Sequence, residues 1–139
     1  MEGMFNYCLR FNQDLNNWNI SKVTNLTSLF QSTNEFNGDI GNWDTSGVIS
    51  MYNTFISAIA FNKDLSNWDT SSVTIMVNLF GGAAQFNQDL SGWCVTNITS
   101  EPSGFSNNSA LSNSNIPVWG TCPTTFSINV TASNASDYT

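Results

Sequence analysis

Apolar residues return along this chain at a fixed interval of 25. Phe11, Phe36, Phe61 and Phe86 share one phase, and Phe5, Phe30, Phe55, Phe80 and Phe105 share another, so that nine of the ten phenylalanines fall in two columns. Trp18, Trp43, Trp68 and Trp93 form a third column, followed by Leu15, Ile40, Leu65, Leu90 and by Val23, Val48, Val73, Ile98. Polar positions keep the same register: Asn12, Asn37, Asn62, Asn87 and Asp14, Asp39, Asp64, Asp89. A period of this length is the mark of a repeat architecture and governs every later step of the reading.

Two shorter rhythms lie inside each unit. Val23, Leu26, Leu29 and Phe30, echoed by Val73, Met76, Leu79 and Phe80, have helix-like spacing and predict a short helix or 3₁₀ segment. Around tryptophan the apolar positions alternate, Trp18 then Ile20, with Thr45, Thr70 and Val95 equivalent to Ile20, which predicts a short strand. One strand and one short helix cannot bury such an aromatic face alone, so each unit must stack on the next. The expected fold is therefore a repeat solenoid, leucine-rich-repeat-like α/β, with one short parallel strand plus one short helix or 3₁₀ segment per 25-residue turn. A parallel β-helix is the alternative architecture. The solenoid of about four repeats is expected over 1–100, beginning inside a repeat because Met1 is itself in register with Leu26, Met51 and Met76. Without a covering unit, its first face is expected to fray.

After Phe105 the columns stop, and the text "EPSGFSNNSALSNSNIPVWGTCP" reads as a C-terminal cap over 101–123. Leu111, Ile116, Val118 and Trp119 are expected to cover the last aromatic layer, with Pro102 and Pro117 preventing regular continuation. Cys94 and Cys122 flank this segment and predict a disulfide, rather than two free thiols, that ties the cap to the last repeat in an oxidising compartment. Cys8 shares its phase with Thr33, Ala58 and Ala83, which predicts a small buried residue. Residues 124–139 contain the alternation Phe126, Ile128, Val130 and read as the start of a following β-rich domain or as a disordered tail; the chain is expected to belong to a larger polypeptide.

Composition narrows the function. Ten acidic residues face three basic ones, Arg10, Lys22 and Lys63, for a net charge of −7. That balance opposes binding to nucleic acid or to anionic lipid. No apolar run is long enough to span a bilayer, so direct membrane insertion is not expected. Histidine is absent, which removes the commonest general base and metal ligand and any Ser-His or Cys-His pair. The carboxylates that remain recur in every unit, whereas catalytic groups are usually singular; the expectation is no enzyme, no catalytic residue, no metal and no cofactor. The column Asp14, Asp39, Asp64, Asp89 predicts carboxylates capping their own turns, in preference to a row of Ca²⁺ sites, and the column from Asn12 an internal asparagine ladder. The tryptophans are expected in the core and not as carbohydrate platforms.

With these residues in view, the unit "FNQDLSGW" followed by "WDTSSVT" resembles the repeat of about 25 residues in BspA-type leucine-rich-repeat surface proteins and in surface lipoproteins of mycoplasmas and Listeria. The likeness spans residues 1 to about 100. It implies an extracellular or cell-surface protein without known catalysis, with a role in adhesion or protein recognition. Asn19 in place of Asp, Cys94 at the same position and Ile49 in place of Thr are its departures from that pattern. The outward positions of the expected strand, Asn17, Asn19, Lys22, Asn42, Asp44, Asn67 and Asp69, form the candidate binding surface for a protein or glycan. A structural spacer of a larger multidomain surface protein is the alternative.

Overall fold

The computed structural model describes residues 1–124. The expected strand at Phe126–Val130 lies outside them. Each 25-residue unit makes one coil, and successive coils lie on one another through backbone hydrogen bonds. Gly3, Phe5 and Tyr7 donate to the carbonyls of Thr27, Leu29 and Gln31; Leu26, Ser28, Phe30 and Ser32 donate to Ser50, Tyr52, Thr54 and Ile56; Met51, Asn53, Phe55 and Ser57 donate to Ile75, Val77, Leu79 and Gly81, all at 2.7–3.0 Å. The N–H groups of this side point to the following coil and the carbonyls to the preceding one. Parallel bridges join Asn25 to Ser50 and Ser50 to Ile75.

The helix expected from Val23 and the strand expected at Trp18 are both replaced by β-turns. Among the described residues the only helical element is a 3₁₀ turn at Asn113–Asn115, here η1. In the second coil Leu29 N–H bonds to Leu26 O, Thr33 N–H to Phe30 O and Phe36 N–H to Thr33 O, at 3.1–3.2 Å. Ser28 and Ser32 have φ of 54° and 56°, a left-handed backbone that an α-helix of L-residues cannot contain. The same conformation recurs one coil on at Asn53 and Ser57, and again at Asn78 and Gly82. Turns closing every three or four residues release the intervening N–H groups for the next coil, where a helix would have consumed them internally. Around tryptophan a turn closes from Leu15 to Trp18 and another from Ile20 to Val23, with equivalents in the later coils.

The interior is a set of stacked columns. Phe30, Phe55 and Phe80 lie 5.5 Å apart, Phe36, Phe61 and Phe86 at 5.6–5.8 Å, and the two columns meet within each coil as Phe30–Phe36, Phe55–Phe61 and Phe80–Phe86 at 4.0–4.3 Å. Trp43 stacks on Trp68 at 6.2 Å. Each buried indole also satisfies its polar edge: Nε1 of Trp43, Trp68 and Trp93 donates to the carbonyl of Leu15, Ile40 and Leu65, one coil back. Among the described residues every fully buried side-chain nitrogen or oxygen has a partner, as a buried polar group requires.

Three expectations about individual residues are corrected at the two ends of the stack. Trp18 is 42 % exposed rather than buried, because the indoles pack onto the coil before their own and the first described coil has none beneath it. Cys8 is exposed for the same reason, although Thr33, Ala58 and Ala83 in its column are fully buried. The first coil carries the same coil-to-coil hydrogen bonds as the later ones. After the fourth coil the ring of Phe105 turns edge-on to Phe80, and Trp119 edge-on to Phe105 at 4.9 Å. Leu111 is buried, and Ile116 and Trp119 pack against the core. Val118 does not: it is 63 % exposed, at the start of a turn in which its carbonyl accepts from the N–H and hydroxyl of Thr121. Cys94 and Cys122 form a disulfide.

Candidate functional site

The alternation around tryptophan survives without a strand. Trp43 and Thr45 are buried while Asn42 and Asp44 are exposed, and the pattern repeats with Trp68, Thr70, Asn67 and Asp69. Threonine fixes the register, because Thr45 Oγ1 donates to Asp69 O at 3.1 Å and Thr70 Oγ1 to Cys94 O at 2.8 Å. Asn17, Asn19 and Lys22 of the first coil are exposed as well, so all seven candidate surface residues are exposed.

Each outward acid is tied to its own coil by one oxygen. Asp44 Oδ1 accepts the N–H and the hydroxyl of Ser46 at 3.1 and 2.6 Å, and Asp69 Oδ1 those of Ser71 at 3.0 and 2.6 Å. Asn19 Oδ1 accepts the same pair from Ser21. Asp14, Asp39, Asp64 and Asp89 each take the N–H two residues on at 2.8–3.1 Å. These are turn caps of the Asx kind. The asparagine column bridges coils: Asn12, Asn37 and Asn62 Oδ1 accept the N–H of Asn37, Asn62 and Asn87, and Asn87 Oδ1 accepts that of Ser112. Its bonds lie at the exposed surface and not internally. Among the described residues no cluster of three potential metal-ligating side chains occurs, and no helix is long and apolar enough to cross a membrane.

The caps hold three carboxyls below the ordinary carboxylate value. In Asp44 and Asp89 the serine hydroxyl of Ser46 or Ser91 is the main cause, followed by its backbone N–H; in Asp64 the Ser66 N–H leads, opposed slightly by burial and by the charge of Asp89. A carboxyl whose value falls on folding adds stability that is present above its unfolded pKa of about 3.9 and is lost as pH drops through the lower folded value. The urea midpoint is thus expected to hold between neutral pH and the unfolded pKa and to fall below it. Replacing Asp44, Asp64 and Asp89 together by Asn should flatten that acid limb, and an unchanged limb in urea titrations would show that the caps do not couple to folding.

One depression was not anticipated from the sequence. A groove of about 270 Å³ opens where the third and fourth coils meet the closing segment, lined among others by Ile56, Asn78, Gly81 and Asn107. Its signal in the chain is the pair Gly81-Gly82, in register with Gln31-Ser32 and Ile56-Ser57.

No curated protein and no solved structure matches the chain. A family model described as "Mycoplasma protein of unknown function, DUF285" matches residues 1–119. The matched span takes in all four coils and the closing segment through Trp119, and the chain therefore belongs to that family.

Proposed function

We propose that this chain is a leucine-rich-repeat-like solenoid segment of a secreted or cell-surface protein and serves as a non-enzymatic interaction or adhesion module that offers a polar face to a protein or glycan. The in-register backbone bonds between successive coils, with parallel bridges through Asn25, Ser50 and Ile75, support a stacked solenoid. The closing segment, 101–123, acts as its cap. The observation that carries the binding reading is the exposed carboxylate row: Asp44 and Asp69 hold their turns through Oδ1, and Oδ2 makes no hydrogen bond among the described residues. One oxygen per coil is left to meet a donor.

Replacing Asp44 and Asp69 by Asn separates the two jobs, because Asn19 already caps the equivalent turn in the first coil. On an array of glycans and host surface proteins, the double variant is expected to lose binding about tenfold or more, worth about 1.4 kcal/mol, with its melting temperature little changed. Retained binding would remove the carboxylate row from the site. The second reading, a structural spacer, is favoured by the use of the Asn12–Asn87 and Asp14–Asp89 columns in coil-to-coil bonds and turns. It predicts no ligand on the array and tolerance of the deletion of one whole repeat.

A further inference from the structure

Features copied into every coil are first of all architecture, and the groove beside Gly81 is not copied. At its floor the column runs Gln31, Ile56, Gly81, and at its flank Ser32, Ser57, Gly82. Side chains that fill this strip on the earlier coils are therefore missing on the fourth. The closing segment also enters one residue out of register. Asn53 donates to Val77, 24 residues on, but Asn78 donates to Ser103, 25 residues on, so the left-handed positions fall at Gly104 and Asn108, with φ of 67° and 59°. No side chain stands at Gly104 to close the end of the strip, where a Cβ would run into the amide of Asn78.

The chemistry of the walls is specific. Ser57 contributes a hydroxyl, Asn78, Asn107 and Asn108 contribute amides, Ile56 contributes an aliphatic surface, and no charged residue lines the groove. The Ser57 hydroxyl and the Asn107 and Asn108 amides make no hydrogen bond among the described residues, and the single side-chain bond of Asn78 runs from Nδ2 to Asn53. Hydroxyls and amides each donate and accept. An anion would find no counter-charge here and would face a protein of net charge −7. An apolar ligand would strand the amides. A ligand ringed by hydroxyls with one C–H face suits both the amides and Ile56. The volume lies just below the usual range for drug-sized ligands, about 300–1,000 Å³, and fits a small one. We infer that the groove bounded by Ile56, Ser57, Asn78, Asn107 and Asn108 binds a single neutral pyranose unit of a glycan. This site is separate from the Asp44/Asp69 row and does not depend on it.

The probes are methyl hexopyranosides and N-acetylglucosamine, with glucuronate and glucosamine as charged comparators, titrated into the ¹⁵N-labelled full chain. At least one neutral sugar is expected to shift the amides of Gly81, Gly82, Asn107 and Asn108 with a Kd near 1 mM, about 4 kcal/mol of binding. Gly81 lacks a positive φ, and a Cβ there would sit 3.3 Å from Gly104 O and 3.6 Å from Ile56 Cγ1. Gly81→Gln, which restores the residue of the second coil, should fill the groove and weaken binding about tenfold or more, worth about 1.4 kcal/mol. The paired change Asn107→Ala and Asn108→Gly, on exposed side chains and with glycine keeping the left-handed backbone of position 108, should do the same and decides the matter if Gly81→Gln loses spectral dispersion. Asp44→Asn with Asp69→Asn should leave the sugar titration unchanged, so the two sites fail separately. The inference is overturned by the absence of localised shifts at about ten times that Kd, by charged sugars shifting the same amides as strongly, or by undiminished binding in the paired Asn107→Ala, Asn108→Gly variant.

Discussion

Phe55→Ala is expected to lower the unfolding free energy by about 3–5 kcal/mol, the range for truncating a fully buried aromatic side chain. Phe55 has no exposed surface. Its ring stacks on Phe30 and Phe80 at 5.5 Å and on Phe61 at 4.3 Å, and meets Trp68 at 6.0 Å. Like Phe30 and Phe80 in their own coils, it joins the two phenylalanine columns and the tryptophan column, here at the middle of the stack. Backbone hydrogen bonds pin both neighbouring coils to this one, so the cavity cannot close by a shift of one coil without breaking them. Stability in a repeat array is close to a sum of unit and neighbour terms, and loss at the middle coil weakens two interfaces at once. The companion change Phe11→Ala is the internal control. Phe11 is only partly buried and has a coil on one side alone, and it should cost clearly less. Urea unfolding followed by tryptophan fluorescence measures both, and equal losses would mean that the columns do not transmit stability along the stack.

The phenylalanine columns show what was legible before any coordinates and what was not. A 25-residue period in residue type leads directly to stacked coils with Phe, Trp and Leu inside, because only in-register stacking buries an aromatic in every unit. The local conformation was another matter. Turns closing from residue i to i+3 place apolar side chains at three- and four-residue intervals, the same spacing that an amphipathic helix gives, and so Val23, Leu26, Leu29 and Phe30 could not distinguish the two. The discriminating residues lay between them: Ser28 and Ser32, matched by Asn53, Ser57, Asn78 and Gly82, are small or turn-forming, and they occupy the left-handed positions. A column predicts burial only where a coil lies on both sides, which leaves Trp18 and Cys8 exposed. The surface row was readable, since alternation about Trp43 needs only that successive side chains point opposite ways, whether the backbone is a strand or a pair of turns. What the sequence could not convey was the second duty of Asp44 and Asp69 as turn caps, which makes alanine at those positions a test of folding and asparagine a test of binding. The groove escaped notice for the opposite reason. It is defined by side chains that are absent, and a search for columns passes over the one place where a column lapses.

The second large effect concerns the closing segment. Replacing Cys94 and Cys122 together by Ser is expected to cost about 3–4 kcal/mol, the chain-entropy estimate for releasing a loop of this size; the bridge joins residues 28 apart. The segment between them meets the fourth coil through seven backbone bonds: Asn78, Phe80 and Gly82 N–H to the carbonyls of Ser103, Phe105 and Asn107, Leu90 N–H to Asn115 O, Val95 N–H to Thr121 O, and Gly120 N–H to the carbonyls of Val95 and Ile98, at 2.7–3.2 Å. These bonds hold Trp119 edge-on over Phe105, and Phe105 over Phe80. Without the bridge the segment keeps them in the folded state but regains its freedom in the unfolded one, so the native fluorescence should be unchanged while the urea midpoint falls. A reducing agent should lower the wild-type midpoint to that of the variant and leave the variant itself where it was, with Cys8→Ser in both backgrounds to remove the exposed thiol. Coincident midpoints for oxidised wild type and the double variant would mean that the bridge adds nothing to the stability of the closing segment. A midpoint that drops only for the signal of Trp119, ahead of Trp43 and Trp68, would show instead that the closing segment unfolds as a separate unit, leaving the four coils to stand on the phenylalanine columns.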